Sequence, residues 1–155
     1  MEKGDRFPDF SLRDENGEVF DSRSLDGLRY VIYFYSKDGT PGCTQEALDF
    51  SMLYPKFMLR NIPVIGVSKD SWEAHKKFKE KNSLKVKLLS DPEQDLIKRA
   101  GLWGTKTLYG KEVHGTIRSS FIVGKNGIIE ACWIGVKVPG HAEKVLEKAI
   151  SLIKV

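Results

Sequence analysis

The sequence predicts an α/β protein with a central mixed β-sheet flanked by helices and a β-hairpin at the N-terminus. Two apolar runs, residues 30–35 and 62–67, have the length and the β-branched and aromatic content of buried strands, and helical periodicity follows each run. The order strand, helix, strand, helix predicts a parallel βαβ unit with a right-handed crossover. Apolar segments on both sides of Gly124-Lys125-Asn126-Gly127 predict an antiparallel hairpin that completes the sheet.

Local patterns predict the elements of the first half. Asn16-Gly17 suits a tight turn, and the short segments beside it predict the N-terminal hairpin. Beyond the second core strand, Asp70 and Glu73 resemble a capping box, which predicts the start of a second helix. Before that strand, apolar residues recur near the helical period and predict the first helix: Ala47, Phe50, Tyr54, Phe57 and Met58.

The second half contains weaker patterns. Residues 86–90 predict a short strand, and residues 94–100 predict a short helix that ends at a glycine. Residues 102–115 contain three glycines and no clear period, so we predict irregular structure there. After the closing hairpin, a helix that begins near Pro139-Gly140 places its apolar residues on one face.

Composition limits the class of protein. A chain of 155 residues with 41% hydrophobic and 30% charged residues suits one folded domain, which we predict over residues 1–155. No apolar stretch approaches the ~20 residues of a membrane span, and no signal peptide is evident, so we expect a cytoplasmic protein without membrane association. The net charge of +4 is mild, and we interpret the basic residues 76–87 as a solvated surface, not a nucleic-acid site. The three histidines lack zinc-ligand spacing, so no metal and no other cofactor is expected.

Cys43 is predicted to lie where the loop after the first core strand becomes the first turn of a helix. Unpaired backbone N–H groups and the helix dipole favour negative charge there, and the thiolate is the reactive form of cysteine. Lowering a thiol pKa from ~8.5 to ~6 requires about 3.4 kcal/mol, whereas a helix terminus supplies at most about 2 kcal/mol. A reactive Cys43 therefore needs a cation or further hydrogen bonds. A buried, unreactive cysteine is the alternative that these residues leave open.

The segment from Lys37 to Glu46, Lys-Asp-Gly-Thr-Pro-Gly-Cys-Thr-Gln-Glu, closely resembles the peroxidatic loop of peroxiredoxins of the bacterioferritin-comigratory (Q-type) group. The resemblance implies a thioredoxin-like fold and a thiol-dependent peroxidase, in which Cys43 attacks hydrogen peroxide or an organic hydroperoxide. Two positions depart from the family pattern. Ser36 stands where the family has a proline, and Leu48 stands where many Q-type members carry a resolving cysteine.

The resemblance also implies roles for further residues. Arg118 begins a segment that resembles the one carrying the family's active-site arginine, a permanent cation that can stabilise a thiolate and bind peroxide oxygens. Thr40 would place its hydroxyl between the thiolate and the peroxide, and Glu46 would hold the arginine through a charge pair. Pro41 and Gly42 would shape the loop, because proline fixes a backbone dihedral and glycine lets the backbone approach the substrate closely.

The implied reaction has two stages, oxidation of Cys43 to a sulfenic acid and condensation with a second thiol. Cys132 is the other cysteine of the chain, and its alternating strand favours a structural role. We therefore expect a one-cysteine enzyme, monomeric or homodimeric, that is reduced by a thioredoxin, a glutaredoxin or a small thiol. Two alternatives remain, an atypical two-cysteine peroxidase that uses Cys132 and a non-catalytic thioredoxin-fold binding or chaperone module. A disulfide reductase is excluded, because the chain has no Cys-x-x-Cys pair.

Overall fold

The computed structural model describes residues 1–153, and within them it describes only the backbone of residues 106–108. The last two residues of the predicted domain, 154–155, lie outside this range. The helices are α1 (Pro41–Met58), α2 (Trp72–Asn82), α3 (Asp95–Arg99) and α4 (His141–Ile153). The strands are β1 (Ser11–Asp14), β2 (Val19–Asp21), β3 (Tyr30–Phe34), β4 (Val64–Ser68), β5 (Lys87–Ser90), β6 (Trp103–Leu108), β7 (Lys111–Thr116), β8 (Ser119–Val123) and β9 (Ile129–Ile134).

The main sheet has seven strands in the order β2-β1-β5-β4-β3-β8-β9. Strands β3, β4 and β5 are parallel neighbours, whereas β8 and β9 form an antiparallel hairpin beside β3. Strands β1 and β2 form the N-terminal hairpin, which joins the sheet through β5. The predicted mixed sheet with flanking helices and an N-terminal hairpin is therefore confirmed.

Strand β3 lies in the interior of the sheet, and all five of its residues are buried. Its side chains alternate between the two faces. Tyr33 packs in a core cluster with residues of α1 and α4, while Phe34 packs in a second cluster with residues of α3 and the N-terminal segment. Burial on both faces explains why the run 30–35 is apolar throughout instead of alternating with polar residues.

The sequence predicted irregular structure for residues 102–115, and this prediction is wrong. Strands β6 and β7 pair in register from Trp103 with Thr116 to Leu108 with Lys111, and they form a separate two-stranded sheet. The turn residues Tyr109 and Gly110 both have positive φ, as a tight hairpin turn requires. Most of β7 is exposed, so no buried face imposes an alternating apolar pattern on its sequence.

The start of α2 also differs from the prediction. Ser71 is the N-cap, and its side chain accepts a hydrogen bond from the Ala74 backbone N–H at 3.2 Å. Asp70 instead accepts hydrogen bonds from the Asp38 backbone N–H and the Ser68 hydroxyl. The prediction of a capping box that starts at Asp70 is therefore wrong. None of the helices within residues 1–153 is long and apolar enough to cross a membrane.

Candidate active site

Cys43 lies in the first turn of α1, as the sequence predicted. Strand β3 ends at Phe34, the loop 35–40 follows, and Thr40 is the N-cap residue with extended backbone. Pro41 occupies the first helical position, where its missing N–H leaves no hydrogen bond unmade. The Cys43 side chain is buried, with only 1% exposure, and belongs to the core cluster on the α1 face of the sheet.

Arg118 lies beside Cys43 because of the register between β3 and β8. Phe34 pairs with Ser119, so the residue before β8 lies next to the loop after β3. The guanidinium makes two contacts: Nη2 donates to the Cys43 Sγ at 3.1 Å, and Nη1 donates to Glu46 Oε1 at 2.7 Å. The structure thus brings together an arginine, a cysteine and a carboxylate that are far apart in the sequence.

Glu46 lies three residues after Cys43, on the same face of α1, and is 1% exposed. Burial raises the pKa of Glu46 to about 7, although Arg118 acts in the opposite direction. Its Oε1 accepts the hydrogen bond from Arg118, whereas its Oε2 is buried and has no hydrogen-bond partner among the side chains and backbone that the structure describes. The charge of this carboxylate raises the pKa of Arg118, which burial alone would lower.

The Cys43 sulfur faces four hydrogen-bonding or charged groups. Burial raises the pKa of Cys43, but the Lys37 backbone N–H, the Thr40 hydroxyl, the Ser36 hydroxyl and the Arg118 charge lower it, and the net pKa lies below the ordinary value. The Ser36 hydroxyl is 3.5 Å from the sulfur. Thr40 Oγ1 also lies 3.0 Å from the Lys37 carbonyl, so its single proton can go to either acceptor.

The structure gives a steric reason for a glycine at position 42, which the sequence did not reveal. A Cβ atom at this position would lie 3.4 Å from Arg118 Nη2, a tight contact with the group that touches the sulfur. The absence of a side chain therefore leaves room for the guanidinium. The predicted close approach of this backbone to a substrate remains a prediction.

The second cysteine lies on the other face of the sheet. Cys132 is in β9 opposite Phe121, and its half-buried side chain packs on the cluster that contains Phe121, Phe34 and residues of α3. The adjacent Ala131 points to the same core cluster as Cys43, because neighbouring strand residues face opposite sides. The backbone of the sheet therefore separates the two sulfurs.

A polar network lies beneath the loop 35–40. Asp38, Asp70 and His75 are the one group in the described part of the chain whose side chains could together hold a metal ion, with ligand atoms within 4.8 Å of one another. However, His75 Nδ1 and Asp38 Oδ2 are only 2.6 Å apart. Two ligands of a tetrahedral zinc ion with ~2.0–2.2 Å bonds are about 3.3 Å apart, so this spacing indicates a hydrogen bond and not a metal site.

Sequence reasoning named Ser36 only as a departure from the family's proline, and it missed three further contributors near the sulfur: the Lys37 amide, Asp38 and His75. Lys37 and Asp38 lie within the recognised motif, so attention to its first residues could have found them. His75 is one of the three histidines that lack zinc-ligand spacing. It lies 37 positions from Asp38, and no local pattern connects the two.

The fold and this site define a class of protein. A thioredoxin-like sheet that presents a buried thiol of lowered pKa at a helix N-terminus, in contact with an arginine, is the arrangement of a thiol-dependent peroxidase.

Comparisons with known proteins agree with this class. The AhpC/TSA family model matches residues 3–132. The peroxiredoxin Bcp of Bacillus subtilis is 41% identical over 147 residues, which cover 95% of this chain and 94% of that protein. The crystal structure of a cysteine-to-serine mutant of Xylella fastidiosa PrxQ has a TM-score of 0.94 and 36% identity, covering 99% of this chain and 98% of that one. The chain belongs to the AhpC/TSA family and is a peroxiredoxin of the bacterioferritin-comigratory, or Q-type, group.

A further solved relative bears on substrate chemistry. The bacterioferritin comigratory protein of Xanthomonas campestris has a TM-score of 0.87 and 37% identity, covering 92% of this chain and 90% of that one. Its structures concern alkyl peroxide reduction and include a trapped intermediate and ligand complexes.

Proposed function

We propose that Cys43 reduces hydrogen peroxide and organic hydroperoxides and that an external thiol then regenerates it. The observation that carries the proposal is the 3.1 Å contact between Arg118 Nη2 and the Cys43 sulfur at the start of α1. A fixed cation at this distance favours the thiolate at neutral pH. The alkyl peroxide reduction of the Xanthomonas campestris relative supports the inclusion of organic hydroperoxides.

In the first stage the Cys43 thiolate attacks one peroxide oxygen. A sulfur–oxygen bond forms as the oxygen–oxygen bond breaks, the sulfur loses two electrons, and the leaving oxygen takes a proton to become water or an alcohol. Arg118 stays charged throughout and can donate to the peroxide oxygens as well as to the sulfur. The Thr40 hydroxyl can switch its proton from the Lys37 carbonyl toward the reacting atoms, since it lies within reach of both.

In the second stage a thiol attacks the sulfenic acid, which releases water and forms a disulfide, and a further thiol reduces this disulfide. The α1 helix does not supply that thiol, because Leu48 occupies the position five residues after Cys43. Cys132 lies across the sheet, and a disulfide requires its two Cα atoms to come within ~7 Å. This separation supports a one-cysteine cycle with a thioredoxin, a glutaredoxin or a small thiol as reductant.

A single-turnover experiment tests both parts of the proposal. Fully reduced protein is mixed in a stopped-flow instrument with one equivalent of hydrogen peroxide or cumene hydroperoxide, without any added thiol. We expect Cys43 to be oxidised orders of magnitude faster than free cysteine at the same pH. Of the two thiols in the chain, one should remain after the reaction, and a sulfenic acid reagent should label Cys43.

The outcomes separate the alternatives. Oxidation no faster than that of free cysteine would support a non-catalytic module and overturn the proposal. Loss of both thiols, with a Cys43–Cys132 disulfide in the mass spectrum, would instead establish a two-cysteine cycle. The Cys43→Ser variant serves as the blank for both measurements.

A further inference from the structure

Asp38 is tied to three elements around the loop that delivers Cys43. The Tyr35 hydroxyl donates to Asp38 Oδ1 at 2.6 Å, at the end of β3. The Asp38 backbone N–H donates to Asp70 Oδ2 at 2.9 Å, just beyond β4. Asp38 Oδ2 faces His75 Nδ1 of α2 at 2.6 Å. Both carboxylate oxygens and the backbone N–H of this loop residue are therefore held by groups outside the loop 36–40.

His75 has an unusual set of partners for a residue with no solvent exposure. Its Nε2 lies 2.9 Å from the Leu89 carbonyl oxygen, which can only accept, so Nε2 carries a proton. The 2.6 Å contact between Nδ1 and Asp38 Oδ2 requires a second proton between those two atoms. The pair therefore holds two protons and is neutral as a unit, which makes the burial of His75 and of most of the Asp38 side chain tolerable.

The anchored residue lies in the loop that carries donors to the reactive sulfur. The Ser36 hydroxyl is 3.5 Å from the Cys43 Sγ, and the Lys37 backbone and the Thr40 hydroxyl lower the pKa of Cys43. The Lys37 carbonyl also accepts from Thr40 at 3.0 Å. Because the planar peptide unit between Lys37 and Asp38 contains the Asp38 N–H and the Lys37 carbonyl, holding Asp38 also sets the direction of this carbonyl, which in turn orients the Thr40 hydroxyl.

We propose that the buried Asp38–His75 pair is a positioning device that holds the loop 36–40 so that the Ser36 hydroxyl and, through the Lys37 carbonyl, the Thr40 hydroxyl are kept beside the Cys43 sulfur. Neither side chain of the pair touches the sulfur in this structure, so both act through the backbone and are positioning residues. The inference rests on the proposed role of Cys43, but it concerns the ionisation of the thiol and can be measured without peroxide. It extends the site from the Arg118 side of the sulfur to the α2 side.

The test measures the Cys43 pKa from the pH dependence of its alkylation rate in a Cys132→Ser background, which leaves one thiol. Asp38→Ala removes the partner of the Tyr35 hydroxyl and of His75 Nδ1 and so breaks the anchor, and we expect it to raise the Cys43 pKa by about one unit, as for loss of one hydrogen bond to a charged group. Thiol alkylation below pH 7 should then slow about tenfold. His75→Ala should produce a shift in the same direction.

Asp38→Asn is the conservative variant that separates positioning from charge. Its amide can still accept from Tyr35 and donate to Nδ1 of a neutral His75, so the anchor persists. We expect it to recover most of the Cys43 pKa shift seen with Asp38→Ala. His114→Ala, at an exposed histidine of β7, is the control and should leave the Cys43 pKa unchanged.

The results decide the inference in every case. An unchanged Cys43 pKa in folded Asp38→Ala protein, with native circular dichroism, would overturn it. A shift in Asp38→Asn as large as that in Asp38→Ala would also overturn it, because the charge and not the anchor would then matter. If His75→Ala does not fold, Asp38→Ala decides alone. Absence of peroxidase activity in the wild-type protein would refute the proposed function but would leave this measurement interpretable.

Discussion

The two cysteines of this chain occupy opposite faces of one sheet and differ in every property that governs thiol reactivity. Cys43 is the more buried residue, yet its sulfur faces a guanidinium, two hydroxyls and a backbone amide. Cys132 is half-buried in a strand whose backbone pairs with β8, and its side chain packs among apolar residues. Exposure therefore does not identify the reactive thiol in this protein. The direction of the surrounding donors does.

The comparison also explains why different groups surround the two cysteine sulfurs. Strand β9 is an edge strand, but the Cys132 side chain packs on an apolar cluster, where little stabilises an anion. A helix start leaves N–H groups free, and the loop before it can turn further donors inward. Cys43 gains a cation only because β8 pairs with β3 in a register that brings Arg118 to the same edge.

The largest expected effect comes from removing each sulfur in turn. Cys43→Ser should abolish peroxide turnover, because a serine hydroxyl is not ionised at neutral pH. Cys132→Ser should retain turnover with an external thiol, because the sheet separates this residue from the site. Peroxide consumption in the presence of dithiothreitol measures the turnover of both variants. Substantial loss in Cys132→Ser, with no change in stability, would mean that the second cysteine takes part.

A smaller effect should follow from removing the cation. Arg118→Ala deletes a hydrogen bond to a charged sulfur, worth about 1.5–3 kcal/mol, so the Cys43 pKa should rise by about one to two units. Sulfenic acid formation at neutral pH should slow by about 10- to 100-fold. Stopped-flow fluorescence at several pH values checks both quantities.

Arg29→Ala is the matched control for that experiment. Arg29 also donates to a glutamate, Glu130, at 2.6 Å, but it lies away from Cys43. It should change neither the Cys43 pKa nor the rate of oxidation. If the rate of Cys43 oxidation depends on pH in the same way in the wild type and in Arg118→Ala, Arg118 does not stabilise the thiolate.

The smallest effect is expected at Ser36, where the family has a proline. The hydroxyl is 3.5 Å from the sulfur, so the hydrogen bond is long, and its loss should raise the Cys43 pKa by no more than about half a unit. Both Ser36→Ala and Ser36→Pro should show this rise in an alkylation profile. Ser151→Ala, which removes an exposed hydroxyl from α4, provides the baseline. A lowered pKa in either variant would contradict this expectation, because loss of the donor and shielding of the sulfur by a proline both raise the pKa.

Much of the fold could be predicted from the sequence because local patterns and burial agree. The run 30–35 is apolar because β3 is covered on both faces, and the closing hairpin has a turn that suits its strands. The hairpin of β6 and β7 was missed because most residues of β7 are exposed, so that no buried face imposes an apolar pattern on this strand. At α2, Ser71 and Asp70 are both good capping residues, and only tertiary contacts decide which of them caps.

The site was predictable only in part, because most of its contacts join residues that are distant in the sequence. The position of Cys43 follows from the strand and helix patterns around it. Arg118 is 75 positions away from Cys43 in the sequence, and only the family resemblance pointed to their proximity. The Asp38–His75 pair and the Lys37 amide depend on how the loop is folded, which periodicity does not describe.

The burial of Glu46 beside Arg118 makes the stability of the folded protein depend on pH. Its pKa is raised by burial from 4.5 to about 7, so the folded state holds the proton more tightly than the unfolded chain does. The contribution of Glu46 to stability is complete below pH 4.5 and declines as the pH rises to 7. The protein therefore gives up folding free energy as Glu46 loses its proton near neutral pH, and in return it keeps a carboxylate beside Arg118 in a place that solvent barely reaches.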